Sequence, residues 1–257
     1  MAAVSLAEEL VRASRRLARA CAGMAFHDPV RFVYNPLQYA RAAHEQYIRT
    51  YATGPKRVIF LGMNPGPWGM AQTGVPFGEV AAVRDWMRIT ATIRPPAQGH
   101  PRVKITGFEC SRSEVSGSRL WGLMQKRFGA APDFFRTHLV VNYCPLLFLD
   151  ASGRNLTPDR ISRADREALQ QECDLHLQAV VKALNPSWLV GIGRFAQGRL
   201  EAVQRESGWD SRTVIGIPHP SPASPQANRD WAGAATRILR AAGVWPRLSE
   251  KDLEKHP

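Results

Sequence analysis

Four short apolar runs do most to limit the folds open to this chain: Arg57–Leu61 (RVIFL), Thr137–Asn142 (THLVVN), Ser187–Ile192 (SWLVGI) and Thr213–Ile217 (TVIGI). Each is rich in β-branched residues and reads as a buried strand. Between the second and third, Leu169, Cys173, Leu177, Val180 and Leu184 recur on one helical face, with Ser162 placed as N-cap three residues before Asp165. Asn185-Pro186 ends that helix. A further helix from about Arg194 to Glu206 separates the third run from the fourth. Strands alternating with helices predict a three-layer α/β/α fold around a four-stranded, mainly parallel sheet.

The 257 residues suffice for one domain spanning 1–257. Its N-terminal segment, about 1–50, is expected to be helical: Leu6, Leu10 and Leu17 recur at helical spacing, and Pro36 suits a first turn. Arg12, Arg15, Arg16 and Arg19 make the first of these helices basic, and Glu8 and Glu9 speak against a targeting presequence. Arg94–Ser118, with Pro95-Pro96, Gly99 and Pro101, lacks periodicity and predicts an irregular surface excursion. The charged tail, about 247–257, is expected to fray.

Basic residues number 34 against 22 acidic ones, a net charge of +12, which favours a polyanionic partner, nucleic acid first. Only Lys56, Lys104, Lys126, Lys182, Lys251 and Lys255 are lysines, so arginine, the bidentate phosphate ligand, dominates. The scattered Cys21, Cys110, Cys144 and Cys173 suggest reduced core thiols, with neither zinc nor iron-sulfur spacing. The absence of a long apolar run predicts an intracellular, non-membrane protein.

In parallel α/β sheets ligands bind beyond the carboxyl ends of the strands. There the chain reads Gly62-Met-Asn-Pro-Gly-Pro-Trp-Gly69, Asn142-Tyr-Cys-Pro-Leu146 and Pro218-His-Pro-Ser-Pro-Ala-Ser-Pro-Gln226. Three strand ends thereby deliver Asn64, Asn142 and His219 toward one crevice, on loops whose glycines and prolines suit a rigid pocket against a phosphodiester chain. Gly191-Ile-Gly193-Arg-Phe-Ala196 matches a relaxed dinucleotide fingerprint. It sits on a late strand, and the next strand leads into Pro218-His219 rather than to an acidic residue, so a tight strand-to-helix turn is the expected role.

These loops, in this order, resemble the single-strand-selective monofunctional uracil-DNA glycosylases, a branch of the uracil-DNA glycosylase superfamily. The resemblance rests on residues 62–80, 142–158, 191–197 and 219–228. It implies that Asn64 holds the attacking water and that His219 stabilises the departing base as negative charge builds on O2. An amide orients water without deprotonating it strongly, which suffices when a sugar cation forms early. The resemblance further implies that Asn142 reads O4 and N3–H of uracil, that Phe77 stacks on the flipped base, and that the backbone near Met63 and Gly66 admits 5-hydroxymethyluracil.

Ser221, Pro222, Ala223, Ser224, Pro225 and Gln226 match the loop that wedges into duplex DNA, with Ala223 where relatives place an arginine. A smaller wedge predicts weaker handling of duplex than of single strands. No lysine lies in the three loops, so hydrolysis without strand cleavage is expected. The implied enzyme is a monomer acting on DNA without cofactor or metal, in the cytoplasm or nucleoid of a bacterium or the nucleus of a eukaryote. The alternatives are a mismatch-specific uracil/thymine glycosylase, a catalytically silent damaged-DNA-binding module, and a dinucleotide-dependent oxidoreductase resting on Gly191–Ala196 alone.

Overall fold

The computed structural model describes residues 4–246, so the predicted tail, about 247–257, lies outside the described residues. Helix α1 (Leu6–Ala22) opens on a Ser5 N-cap that accepts the Glu8 N–H, and buries Leu10, Val11, Leu17 and Cys21. Strand β1 (Phe32–Tyr34), α2 (Pro36–Tyr39) and α3 (Arg41–Tyr51) lead to β2 (Val58–Gly62), whose five residues are all buried. After the short α4 (Met70–Thr73) and an irregular stretch come α5 (Val115–Phe128), α6 (Ala131–Phe135) and β3 (His138–Asn142). Strands β4 (Leu147–Leu149) and β5 (Asn155–Leu156) precede α7 (Arg163–Leu184), β6 (Trp188–Ile192), α8 (Arg194–Ser207), β7 (Thr213–Ile217) and α9 (Pro225–Ala241).

The main sheet runs β3-β2-β6-β7 and is parallel throughout, as the alternation of strands and helices predicts. Helix α7 packs on α8 and carries α1, α8 lies against β6 and β7, α6 lies against β3, and α5 packs on both α6 and α9. Ser162 accepts the Asp165 N–H at 3.1 Å, and Asn185 closes α7 in the left-handed conformation before Pro186. At the β3 edge, the Tyr47 hydroxyl donates to the Val140 carbonyl at 2.9 Å, occupying a group that an open strand would leave bare.

Three features depart from the sequence reading. A second, antiparallel sheet, β1-β4-β5, lies beside the first. The excursion after Arg94 becomes helical at Val115, and before that it is clamped rather than loose. Buried Gln72 donates to the carbonyls of Pro67 and Lys104 and accepts from the N–H groups of Thr106 and Gly107, while the Tyr34 hydroxyl donates to the Val103 carbonyl. Finally, Cys21, Cys144 and Cys173 are core thiols, but Cys110 is half-exposed because its segment runs along the surface.

Candidate active site

The three loops beyond β2, β3 and β7 converge on a cleft of about 440 Å³. The ladder of the first two continues past the sheet: Tyr143 N–H donates to Gly62 O and Cys144 N–H to Met63 O. That pairing holds Asn64 beside the β3 loop, where its Nδ2 donates to Leu146 O at 3.3 Å and to Pro65 O at 3.4 Å. With the amide nitrogen committed to backbone, Oδ1 is the end left to accept from a ligand.

Asn142 and Phe77 meet above Gly62. A Cβ there would overlap both Asn142 Oδ1 and the Phe77 ring edge, so only glycine lets the two side chains settle against this strand end. Phe77 adopts φ +52°, a conformation costly for a non-glycine residue, held in place by the Trp121 indole N–H donating to its carbonyl at 2.9 Å. Its ring centroid is 6.0 Å from that of His219. Asn142 Nδ2 rests 3.2 Å from Met70 Sδ, a weak acceptor, and Oδ1 is buried with no partner among the described residues.

His219 is fixed in one tautomer. The Ser221 N–H donates to its Nδ1 at 3.1 Å, so the neutral ring carries its proton on Nε2, as a donor. Burial holds its pKa below the ordinary value, which keeps the ring neutral near pH 7. The surrounding loop is braced carbonyl by carbonyl: Trp231 donates to Pro218 O (2.7 Å), Arg119 to Pro220 O (2.9 Å) and Asn228 to Pro222 O (2.8 Å). Gly193, at φ +88°, would put a Cβ 3.2 Å from that of His219, and its N–H donates to Ile217 O. The Gly191–Ala196 turn therefore packs against the histidine loop, in keeping with the turn expected there.

Met63, Asn64, Gly66, Phe77, Asn142, His219, Ser221 and Pro222 all line the cleft. Ala223, exposed, and Ser224, half-buried, stand off it at the loop apex. Pro225 and Gln226, expected in the loop, instead form the first turn of α9, where proline is tolerated because its missing N–H has no partner to lose; their side chains lie outside what the structure describes.

Residues 49–240 match the family model for the uracil DNA glycosylase superfamily. The chain belongs to this superfamily. It is 46% identical over 248 residues to the single-strand selective monofunctional uracil-DNA glycosylase of Rattus norvegicus, an alignment covering 96% of this chain and 88% of that protein. The Mus musculus protein of that name is 45% identical over the same shares, and the Bos taurus one 45% identical over 95% and 90%. The crystal structure of wild-type Pedobacter heparinus SMUG2 shares the fold, with a TM-score of 0.65 at 16% identity over 94% of this chain and 98% of that one.

Within this uracil-DNA glycosylase fold, several lining residues were not singled out from the sequence. Asn155 arrives on β5 of the second sheet and Thr157 just past its end, and Asn155 Oδ1 is buried with no partner among the described residues. They fall inside the 142–158 resemblance, which is the clue that was available. Ser113, Glu114 and Ser116 come from the clamped excursion, and Trp68 carries the Arg112 guanidinium 4.4 Å above its ring at the cleft. Among the described residues, no group of three or more His, Cys, Asp or Glu side chains could hold a metal ion, and no helix is long and apolar enough to cross a membrane.

Proposed function

We propose that this protein is a monofunctional DNA glycosylase that hydrolyses the bond between uracil and deoxyribose, leaving an abasic site in single- or double-stranded DNA. The observation that carries this reading is the buried, unpartnered Asn142 Oδ1 beside the Phe77 ring. An acceptor left bare in a buried site costs roughly 1–3 kcal/mol. Uracil N3–H supplies the missing donor while the ring stacks on Phe77, and Nδ2 exchanges its thioether for uracil O4. Cytosine presents an acceptor at N3 and a donor at the 4-position, so both contacts become repulsive.

As the glycosidic bond breaks, charge gathers on uracil O2, and the preset His219 Nε2–H meets it without a proton having to move first. Asn64 Oδ1 holds the water. The residues lining the cleft include no lysine, which supports hydrolysis over amine attack and strand cleavage. Met63 and Gly66 line the same cleft, which supports a 5-hydroxymethyl-substituted uracil as a second substrate. The relatives' names supply the substrate class.

The test is incubation with single-stranded and duplex oligonucleotides carrying one uracil, followed by alkali. Scission at the uracil position only after alkali is expected; strands that stay intact would sink the reading.

A further inference from the structure

Among the described residues, Glu114 is the only carboxylate lining the cleft. It stands at the N-cap of α5, yet its side chain makes no cap hydrogen bond. Both oxygens fill the space that side chains at Gly66 and Gly69 would take, and Oε2 lies near Gly117 as well. Gly66 follows Asn64 by two residues, a span of at most about 7 Å of chain, so the carboxyl lies against the same loop that carries Asn64, and both side chains line the cleft. No hydrogen bond or ion pair engages this carboxyl among the described residues.

Hydrolysis releases a proton from the attacking water, and an amide cannot take it. Apart from His219, whose unprotonated Nδ1 is occupied by the Ser221 N–H, Glu114 is the one cleft group able to do so. Resting on the glycosylase reading above, we propose that Glu114 is the proton acceptor for the water held by Asn64. The water oxygen bonds to C1′ as the C1′–N1 bond breaks. The electron pair leaves with uracil, whose O2 faces His219, and the water proton passes to a Glu114 oxygen. The acid then returns that proton to solvent or to the uracil anion.

The electrostatics suit the task. Burial, with Glu79 nearby as a like charge, raises the Glu114 pKa to about 7, where a base is half-ionised at neutral pH. The other charged groups around it are accounted for. Arg112 is stacked on Trp68, Arg119 is held by Pro220 O and Asn228, and His219 titrates below its usual range.

Single-turnover excision of uracil from a single-stranded oligonucleotide, followed from pH 5 to 9, tests this. The wild type is expected to lose rate on the acid side with a midpoint near 7. Glu114→Gln is expected to be about 100-fold slower at neutral pH and to lack that limb, and Glu114→Asp to keep it at reduced rate. An unchanged acid limb in Glu114→Gln overturns the proposal. So does a loss parallel at every pH with a lowered thermal midpoint, or a change confined to the ratio of 5-hydroxymethyluracil to uracil, which would make Glu114 a reader of the substituent. Should Glu114→Gln fail to fold, Glu114→Asp without an acid limb overturns it equally. A wild type that releases no uracil sinks the glycosylase reading and this proposal together.

Discussion

The two ends of the parallel sheet use similar residues to opposite effect. At the amino end, His138 opens β3 in full burial; its Nε2 accepts from the Trp245 indole at 3.3 Å, its Nδ1 donates to Phe134 O at 3.2 Å, and its ring stacks on Phe134. Lys56 Nζ, also buried, donates to Phe135 O. At the carboxyl end, His219 has one nitrogen partnered and one facing the cleft, Asn142 Oδ1 has none, and the Glu114 carboxyl has none. A partnered buried polar group fixes the packing around it. An unpartnered one is a debt that a ligand settles, and the cleft concentrates such groups where strands end.

If that contrast is correct, damage at the carboxyl end falls on activity and damage at the amino end on stability. The largest expected effect is at the cleft. On the proposed mechanism His219→Ala removes the donor that meets the developing oxyanion, and the single-turnover rate on uracil is expected to drop about 100- to 1,000-fold. Its thermal midpoint should stay close to the wild type's, because Trp231, Arg119 and Asn228 still brace the loop when the Ser221 N–H loses the imidazole. A wild-type rate, or a collapse of the fold, would erase the distinction between the two ends.

Acid should act first through the amino end and the core. Burial lowers the pKa of His138 and of His176 to about 4, and lowers those of His44 and His219 as well. The unfolded chain, with histidines near 6.5, then binds more protons than the folded one, so stability falls as pH drops from about 6.5 toward 4. At pH 5, His138 and His176 each account for on the order of 2 kcal/mol. Glu114 works with the opposite sign: its raised pKa means the folded state takes up the extra proton between about 7 and 4.5, a gain on acidification. Denaturant midpoints measured between pH 7 and 5 should therefore decline, and decline more steeply in Glu114→Gln. A flat profile would show that these rings are not buried as neutral bases.

The same contrast explains what the sequence disclosed. The four strands of the main sheet were legible to within a residue because burial on both faces leaves unbroken apolar runs. Helix α7 was legible because Ser162 and Asn185-Pro186 mark its ends. The meeting of Asn64, Asn142 and His219 at one cleft was legible because a parallel sheet brings its strand-end loops together. The second sheet was not, since strands of two or three residues are too short to show a period. Nor was Glu114: its counterparts are glycines some 45 positions earlier, which leave no complementary side chain to notice, and the excursion that carries it is held by Gln72 through backbone atoms alone. Helix α9 was hidden by its proline-rich entry and by a kink at Asp230.

The smallest expected effect lies at the apex of the histidine loop, where the brace and the tip have separate jobs. The carbonyls of Pro218, Pro220 and Pro222 are tied down, so on the proposed function the loop would meet DNA as a preformed element with little ordering entropy to lose. What projects at the tip is Ala223, exposed and too small to fill the space that an extruded base vacates. Single strands need no such filling, since the base is already unstacked. Ala223→Arg should thus raise the rate on duplex uracil several-fold and leave the single-strand rate nearly unchanged, measured as the ratio of single-turnover constants. The added cation also contacts phosphate in either substrate, but that contribution weakens with salt. A ratio that rises only at low salt would assign the gain to charge, whereas one that persists at high salt assigns it to the wedge; an unmoved ratio would mean that duplex opening is not limited by residue 223.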